Sequence, residues 1–100
     1  MQESNNAYDL SALLASTRAL ESECIRTRKM LSYCRRRKSR GLPIEETQMA
    51  EDIEREMKMY CEREREQEEP PPAYWLEFER ETYAEYLETL KEELLEFEVQ

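Results

Sequence analysis

The sequence predicts an all-α protein: an antiparallel, coiled-coil-like helical hairpin with a third helix, in a three-helix bundle or an oligomeric helical assembly. Charged residues make up 39% of the chain and glycine occurs once, whereas ordinary domains contain about 25% charged residues and ~7% glycine. Apolar side chains also recur at alternating steps of three and four, which places them on one stripe of a helix. Both observations favour long amphipathic helices over disorder, which is the competing interpretation of such a charged chain.

The first helix is predicted over residues 9–39. Its apolar or small residues form a heptad seam nearly four repeats long, a pattern typical of helices that pack side by side. Gly41 then supplies a left-handed stop. The seam consists of Leu10, Leu13, Thr17, Leu20, Cys24, Thr27, Leu31 and Cys34.

The second helix is predicted over residues 44–68, because Pro43 precedes it and Glu45 and Glu46 favour a first turn. A short connection between two long helices indicates an antiparallel hairpin, here residues 1–69. With the reversal near residue 42, the seams of the two helices should face each other. The predicted facing pairs are Cys34 with Ala50, Leu31 with Ile53, Thr27 with Met57, Cys24 with Tyr60, and Leu20 with Glu64.

A triproline hinge at residues 70–72 separates the hairpin from an acidic amphipathic helix predicted over 73–100, since proline interrupts a helix. This helix has one stripe of Leu76, Tyr83, Leu87, Leu90, Leu94 and Phe97. Beside it lies a second stripe, the aromatic edge, formed by Trp75, Phe78, Thr82 and Tyr86. Two apolar stripes mean that the helix contacts two partners.

The third helix is expected to run parallel to the first. That would lay Trp75, Leu76 and Phe78 beside Leu10, Leu13 and Leu14, and would bring the acidic end near residues 35–38. Alternatively, it docks on another protein and leaves the hairpin to dimerise. For Tyr74, Trp75 and Phe78, burial in a core is the first interpretation and a docking surface is the second.

Catalytic chemistry finds little support in the sequence. The chain has no histidine, no glycine-rich phosphate loop and no base identifiable beside its cysteines. Three cysteines without a CxxC pair predict neither a disulfide framework nor a zinc site and fit a reducing compartment, with Cys24 and Cys34 as core residues. We therefore expect no enzyme, no cofactor, no bound metal and no small-molecule substrate.

Charge is divided unevenly along the chain. Residues 1–40 carry a net charge of +5 and residues 41–100 a net charge of -14, and five cations fall within positions 35–40. Three interpretations stay open for this basic region: a helix end that satisfies the macrodipole, a nuclear import signal, or a phosphate contact along one helix face. The candidate nucleic-acid or import-signal residues are Arg26, Arg28, Lys29, Arg35, Arg36, Arg37, Lys38 and Arg40.

The function expected from these patterns is a small helical protein-protein interaction subunit or adaptor that self-associates, in a dimer or higher oligomer, or binds another helical protein. The alternative is a regulator that contacts duplex RNA or DNA independently of sequence through the basic face of the first helix. A third possibility treats the acidic C-terminal segment as a phosphate-mimicking surface. The predicted interface comprises Leu10, Leu13, Leu14, Leu20, Tyr74, Trp75, Phe78 and Tyr86. No apolar run is long enough to cross a membrane and no signal peptide is evident, so we expect a soluble, intracellular protein, nuclear or cytoplasmic.

Overall fold

The computed structural model describes residues 2–65 and 71–98, with side chains at 10–64 and 71–97. It contains three helices, α1 (Gln2–Ser39), α2 (Glu46–Arg65) and α3 (Ala73–Glu98), and no strand in these ranges. The predicted all-α class is thereby confirmed. Helix α1 begins seven residues earlier than predicted and α2 two residues later. The predicted end of α2 at 68, Pro70 of the hinge, and residues 99–100 lie outside the described ranges.

Helices α1 and α3 pack in parallel, as expected. The Thr17 hydroxyl lies 3.3 Å from the carbonyl oxygen of Leu76, and the Cys24 thiol donates to the carbonyl oxygen of Tyr83 at 3.2 Å. Both pairs are offset by 59 residues. This constant offset shows that the two helices run side by side in one register.

Most of the hydrophobic core lies between these two helices, and Ile53 and Tyr60 of α2 are buried as well. Leu31 and Leu76 are almost completely buried, because the heptad seam of α1 faces the leucine stripe of α3. The main cluster contains Cys24, Leu31, Leu87 and Leu90, with Leu20, Tyr83, Leu94 and Phe97 packed against it. No α2 residue belongs to that cluster among the described side chains.

Helix α2 runs antiparallel to α1, as predicted, but it packs on a different face. The Tyr60 hydroxyl donates to Glu21 at 2.7 Å, and the Arg18 guanidinium pairs with Glu64 at 3.2 Å. Tyr60 and Glu64 thus lie at the predicted levels along α1, but their polar groups bond to Glu21 and Arg18 beside the seam residues Cys24 and Leu20. The reason is apolar area, because α3 offers large leucines to the seam while α2 offers Ala50 and Glu64.

The reversal after α1 is a Schellman motif. Gly41 has a φ of 68°, the left-handed conformation that a residue without Cβ adopts freely. The Leu42 amide donates to the Arg37 carbonyl at 2.8 Å, and the Gly41 amide donates to the Lys38 carbonyl at 3.1 Å. The buried Tyr33 hydroxyl then accepts from the Glu45 amide at 3.1 Å, so it fixes the chain just before α2 begins.

Helix α1 lies in the middle of the molecule. Both other helices pack on it, whereas the Cα atoms of α2 and α3 do not come within 8 Å of each other over the described residues. The molecule is flat and elongated, with dimensions of 59 × 26 × 16 Å. An open cleft therefore runs between α2 and α3, with α1 as its floor.

Candidate functional site

The aromatic edge of α3 is exposed. Trp75 retains 46% and Phe78 59% of its accessible surface, and the two rings stack with centroids 5.6 Å apart. The indole nitrogen of Trp75 donates to Glu79 at 2.9 Å, which holds the ring in place. Tyr74 and Tyr86 are also exposed. For these aromatic residues, burial within the chain was the wrong interpretation, and an accessible surface is what the fold provides.

The leucines of the predicted interface lie in different environments. Leu20 packs against the main core, Leu13 and Leu14 are half-buried, and Leu10 is exposed. The expectation that Leu76 lies beside them is off by about one helical turn, because Leu76 contacts Thr17. The open end of the bundle therefore combines partly exposed α1 leucines with the exposed start of α3.

Half of the candidate nucleic-acid residues are ion-paired within the chain. Helices α2 and α3, together with Glu45 just before α2, supply three of the carboxylates, so these pairs help to hold the bundle together. The pairs are Arg26 with Glu23 at 3.8 Å, Arg35 with Glu93 at 3.1 Å, Arg36 with Asp52 at 3.9 Å, and Arg37 with Glu45 at 3.4 Å.

The other four cations have no ion pair among the described residues, but they do not form a continuous stripe. Lys29 is half-buried in a groove that also contains Glu56 of α2, and the Lys38 ammonium lies 5.4 Å from the ring centroid of Phe97. Arg40 is exposed at the hairpin tip. Helix α2 thus covers part of the face on which a phosphate-contacting stripe was expected, which weakens the duplex-binding interpretation.

Arg28 is an exposed cation in the cleft and, unlike Arg35 and Arg36 beside it, has no ion pair among the described residues. Together with Ser32 it lines one groove with α2 and a second with α3, so both residues lie on the strip of α1 between the flanking helices. We call the second the basic groove, and its volume is about 410 Å³. Its lining residues are Arg28, Leu31, Ser32, Arg35, Arg36, Tyr86, Thr89, Leu90 and Glu93. The groove combines an apolar base with guanidinium and hydroxyl donors.

A polar junction joins all three helices near the open end. The Glu21 carboxylate accepts hydrogen bonds from the hydroxyls of Tyr60 and Tyr83, both at 2.7 Å. Burial, and then the hydrogen bond to Glu21, raise the pKa of both phenols. Burial alone would lower the pKa of Arg18, but Glu21, Glu64 and Glu79 together raise it. The guanidinium and the two phenols therefore stay protonated at neutral pH.

Sequence reasoning missed this junction. The available signal was the register, since Tyr60 and Tyr83 both fall at the level of Cys24, one turn from Glu21. The rotation of α2 about α1 decides that the Tyr60 phenol meets a carboxylate rather than a seam residue, and the spacing does not fix that rotation.

The cysteines offer little reactivity in the core. Cys24 and Cys34 are buried, as predicted, and burial raises the pKa of both thiols. A protonated, inaccessible thiol is a poor nucleophile. Cys61 is exposed and free. Among residues with described side chains, no group of three or more Cys, Asp and Glu is arranged to hold a metal ion.

Comparison with protein-family models, curated proteins and solved structures gives no match. In the part of the chain that the structure describes, no helix combines the length and the apolar character needed to span a membrane.

Proposed function

We propose that this protein is a small helical interaction subunit that self-associates by burying the aromatic edge of α3. The observation that supports the proposal most directly is the exposure of Trp75 and Phe78 on a helix whose neighbouring leucine stripe is already packed on α1. Aromatic side chains are enriched where proteins bind each other, because they bury large areas with few rotatable bonds.

The size of the exposed patch supports this proposal. A fully buried aromatic side chain removes ~150–250 Å² from water. With the exposed fractions of Trp75, Phe78 and Tyr86, the edge leaves roughly 300 Å² in water. That is the size of the largest apolar patch on many monomers, and such patches often mark interaction sites.

The open cleft gives self-association a physical driving force. A chain of 100 residues buries a modest share of its surface. Here the Cα atoms of α2 and α3 stay more than 8 Å apart within the described ranges, so each flanking helix has a side that α1 does not cover. A second copy covers that side without any additional protein.

The proposal is tested by the mass of the protein in solution over a range of concentrations. For the wild-type protein we expect a mass that rises with concentration. For the double variant Trp75→Ala with Phe78→Ala we expect a dissociation constant at least ~30-fold higher, because interface hot spots contribute 2 kcal/mol or more. Leu95→Ala is the matched control, since Leu95 is exposed on α3 away from the aromatic edge. A monomer mass at every concentration, with native helicity, contradicts the proposal.

Duplex RNA and DNA are included at two salt concentrations in the same measurement. A complex that weakens steeply between low and moderate salt would instead support the nucleic-acid alternative. We expect no such complex, because α2, α3 and the segment between α1 and α2 already neutralise three of the basic side chains at the hairpin tip.

A further inference from the structure

The spacing along the aromatic edge is symmetric. From Trp75 through Phe78, Thr82 and Tyr86 to Thr89, the steps are three, four, four and three residues. These positions lie on one stripe of α3 about 21 Å long. When two copies of such a stripe meet antiparallel on a two-fold axis at Thr82, Phe78 lies opposite Tyr86 and Trp75 lies opposite Thr89. The stripe is therefore complementary to itself, as an isologous interface requires.

The symmetric pairing brings Trp75 of one copy to the basic groove of the other. Tyr86 and Thr89 line that groove, and they are the positions that face Phe78 and Trp75 across the two-fold axis. The groove has an apolar base and, in Arg28, an exposed guanidinium without an ion pair among the described residues. A guanidinium over an indole ring is a favourable cation–π contact, and tryptophan is the best ring for it.

The basic groove enlarges the contact area available to the interface. The aromatic edge supplies roughly 300 Å² per copy, whereas a stable interface buries about 800 Å² per partner. The three aromatic side chains alone supply less than half of this area. Insertion of each Trp75 into the opposite groove adds the walls of one 410 Å³ depression from each copy.

We propose that the protein forms an antiparallel homodimer about a two-fold axis at Thr82, in which Trp75 of each copy occupies the basic groove of the other beside Arg28. This inference rests on the proposed function and specifies its geometry. The hydrogen bond from Trp75 to Glu79 orients the indole before the copies meet, which reduces the entropy lost on binding.

The dependence of binding on salt concentration distinguishes a second copy of the chain from a polyanion as the partner. Each copy carries a net charge of -9, so two copies repel each other at low ionic strength. Added salt screens that repulsion, and the homodimer is expected to hold or tighten as salt rises. A polyanion in the same groove would show the opposite dependence. A homodimer whose dissociation constant rises steeply with salt would therefore overturn the proposal that the aromatic edge dominates the interface.

The geometry is tested by disulfide crosslinking. In a Cys61→Ser background, Thr82→Cys places one thiol on each side of the two-fold axis, and mild oxidation is expected to yield a covalent dimer. Glu81→Cys is the matched control, because adjacent helix residues point about 100° apart and Glu81 faces solvent. We expect the control to crosslink at least about ten-fold more slowly. Equal rates at both positions overturn the proposed register.

Affinity measurements test the groove contact. We expect Arg28→Ala to weaken the dissociation constant about two- to five-fold, as loss of an exposed cation–π contact predicts. The same change should have no effect in a Trp75→Ala background. Arg26→Ala is the control, because Arg26 is an exposed arginine of α1 that pairs with Glu23. Equal losses for both arginine variants overturn the groove contact.

The two levels of inference fail differently. A reversible dimer that does not crosslink at Thr82 rejects the two-fold geometry and leaves self-association through the aromatic edge intact. A monomer at every concentration rejects both.

Discussion

Replacing Glu21 by alanine should destabilise the whole bundle. The carboxylate is mostly buried and accepts hydrogen bonds from Tyr60 of α2 and Tyr83 of α3, so one side chain of α1 connects both flanking helices. A hydrogen bond to a charged group contributes about 1.5–3 kcal/mol. Water recovers part of this after truncation, so we expect Glu21→Ala to lower the free energy of unfolding by about 3 kcal/mol.

The measurement is urea unfolding followed by far-UV circular dichroism at neutral pH, at one chain concentration below the dissociation constant. Glu23→Ala is the control, because Glu23 is an exposed acidic residue of the same helix whose pair with Arg26 contributes at most about 0.5 kcal/mol. Glu21→Gln keeps one acceptor oxygen and should lose about half as much as alanine. The reasoning is refuted if the Glu21 and Glu23 alanine variants unfold at the same urea concentration.

Three further predictions concern the core, the reversal and alkaline pH. Leu76→Ala should lower the free energy of unfolding in urea by about 2–5 kcal/mol, because Leu76 is fully buried. The control Leu95→Ala should lower it by less than about 0.5 kcal/mol. Similar losses for the two variants contradict the assigned core. Gly41→Ala should cost about 1–2 kcal/mol in thermal or urea unfolding, since φ is positive there while no atom crowds the new Cβ. The pKa values of Tyr60 and Tyr83 are higher in the folded protein than in the unfolded chain, where a tyrosine has a pKa of about 10. The protonated phenols therefore contribute their full share to the free energy of unfolding at any pH below about 10. That contribution is lost as pH rises through the folded pKa, so unfolding free energy should fall above pH ~10, and less steeply when both tyrosines are replaced by phenylalanine.

Heptad spacing was enough to predict the three helices and, with the short connection, the antiparallel direction of α2; the parallel direction of α3 followed from the proline hinge and was one of two alternatives. Periodicity reports which residues share a face, and short connections limit the directions available. The spacing did not reveal which helix meets the α1 seam. The seam packs against the helix that buries the larger apolar area. Leu76, Leu87 and Leu90 of α3 offer more of that area than the smaller and more polar residues of α2.

The candidate site was predictable in part. Trp75, Phe78 and Tyr86 were identified as a second stripe because α3 has more apolar positions than one contact needs. Their exposure was not predictable, since it depends on the flat arrangement around α1. The pairing of Arg36 with Asp52 was hidden for a related reason: it depends on the rotation of α2 about α1, which small differences in packing decide.

The central position of α1 sets the order in which the protein can fold during synthesis. Leu20, Cys24 and Leu31 pack mainly against α3, yet α3 is the last of the three helices to leave the ribosome. A nascent chain that ends after α2 presents an uncovered leucine seam, held beside α2 largely by polar contacts. Packing of the α1 seam must therefore wait for α3. Chains that stop short of α3 should be the species that chaperones and proteases remove.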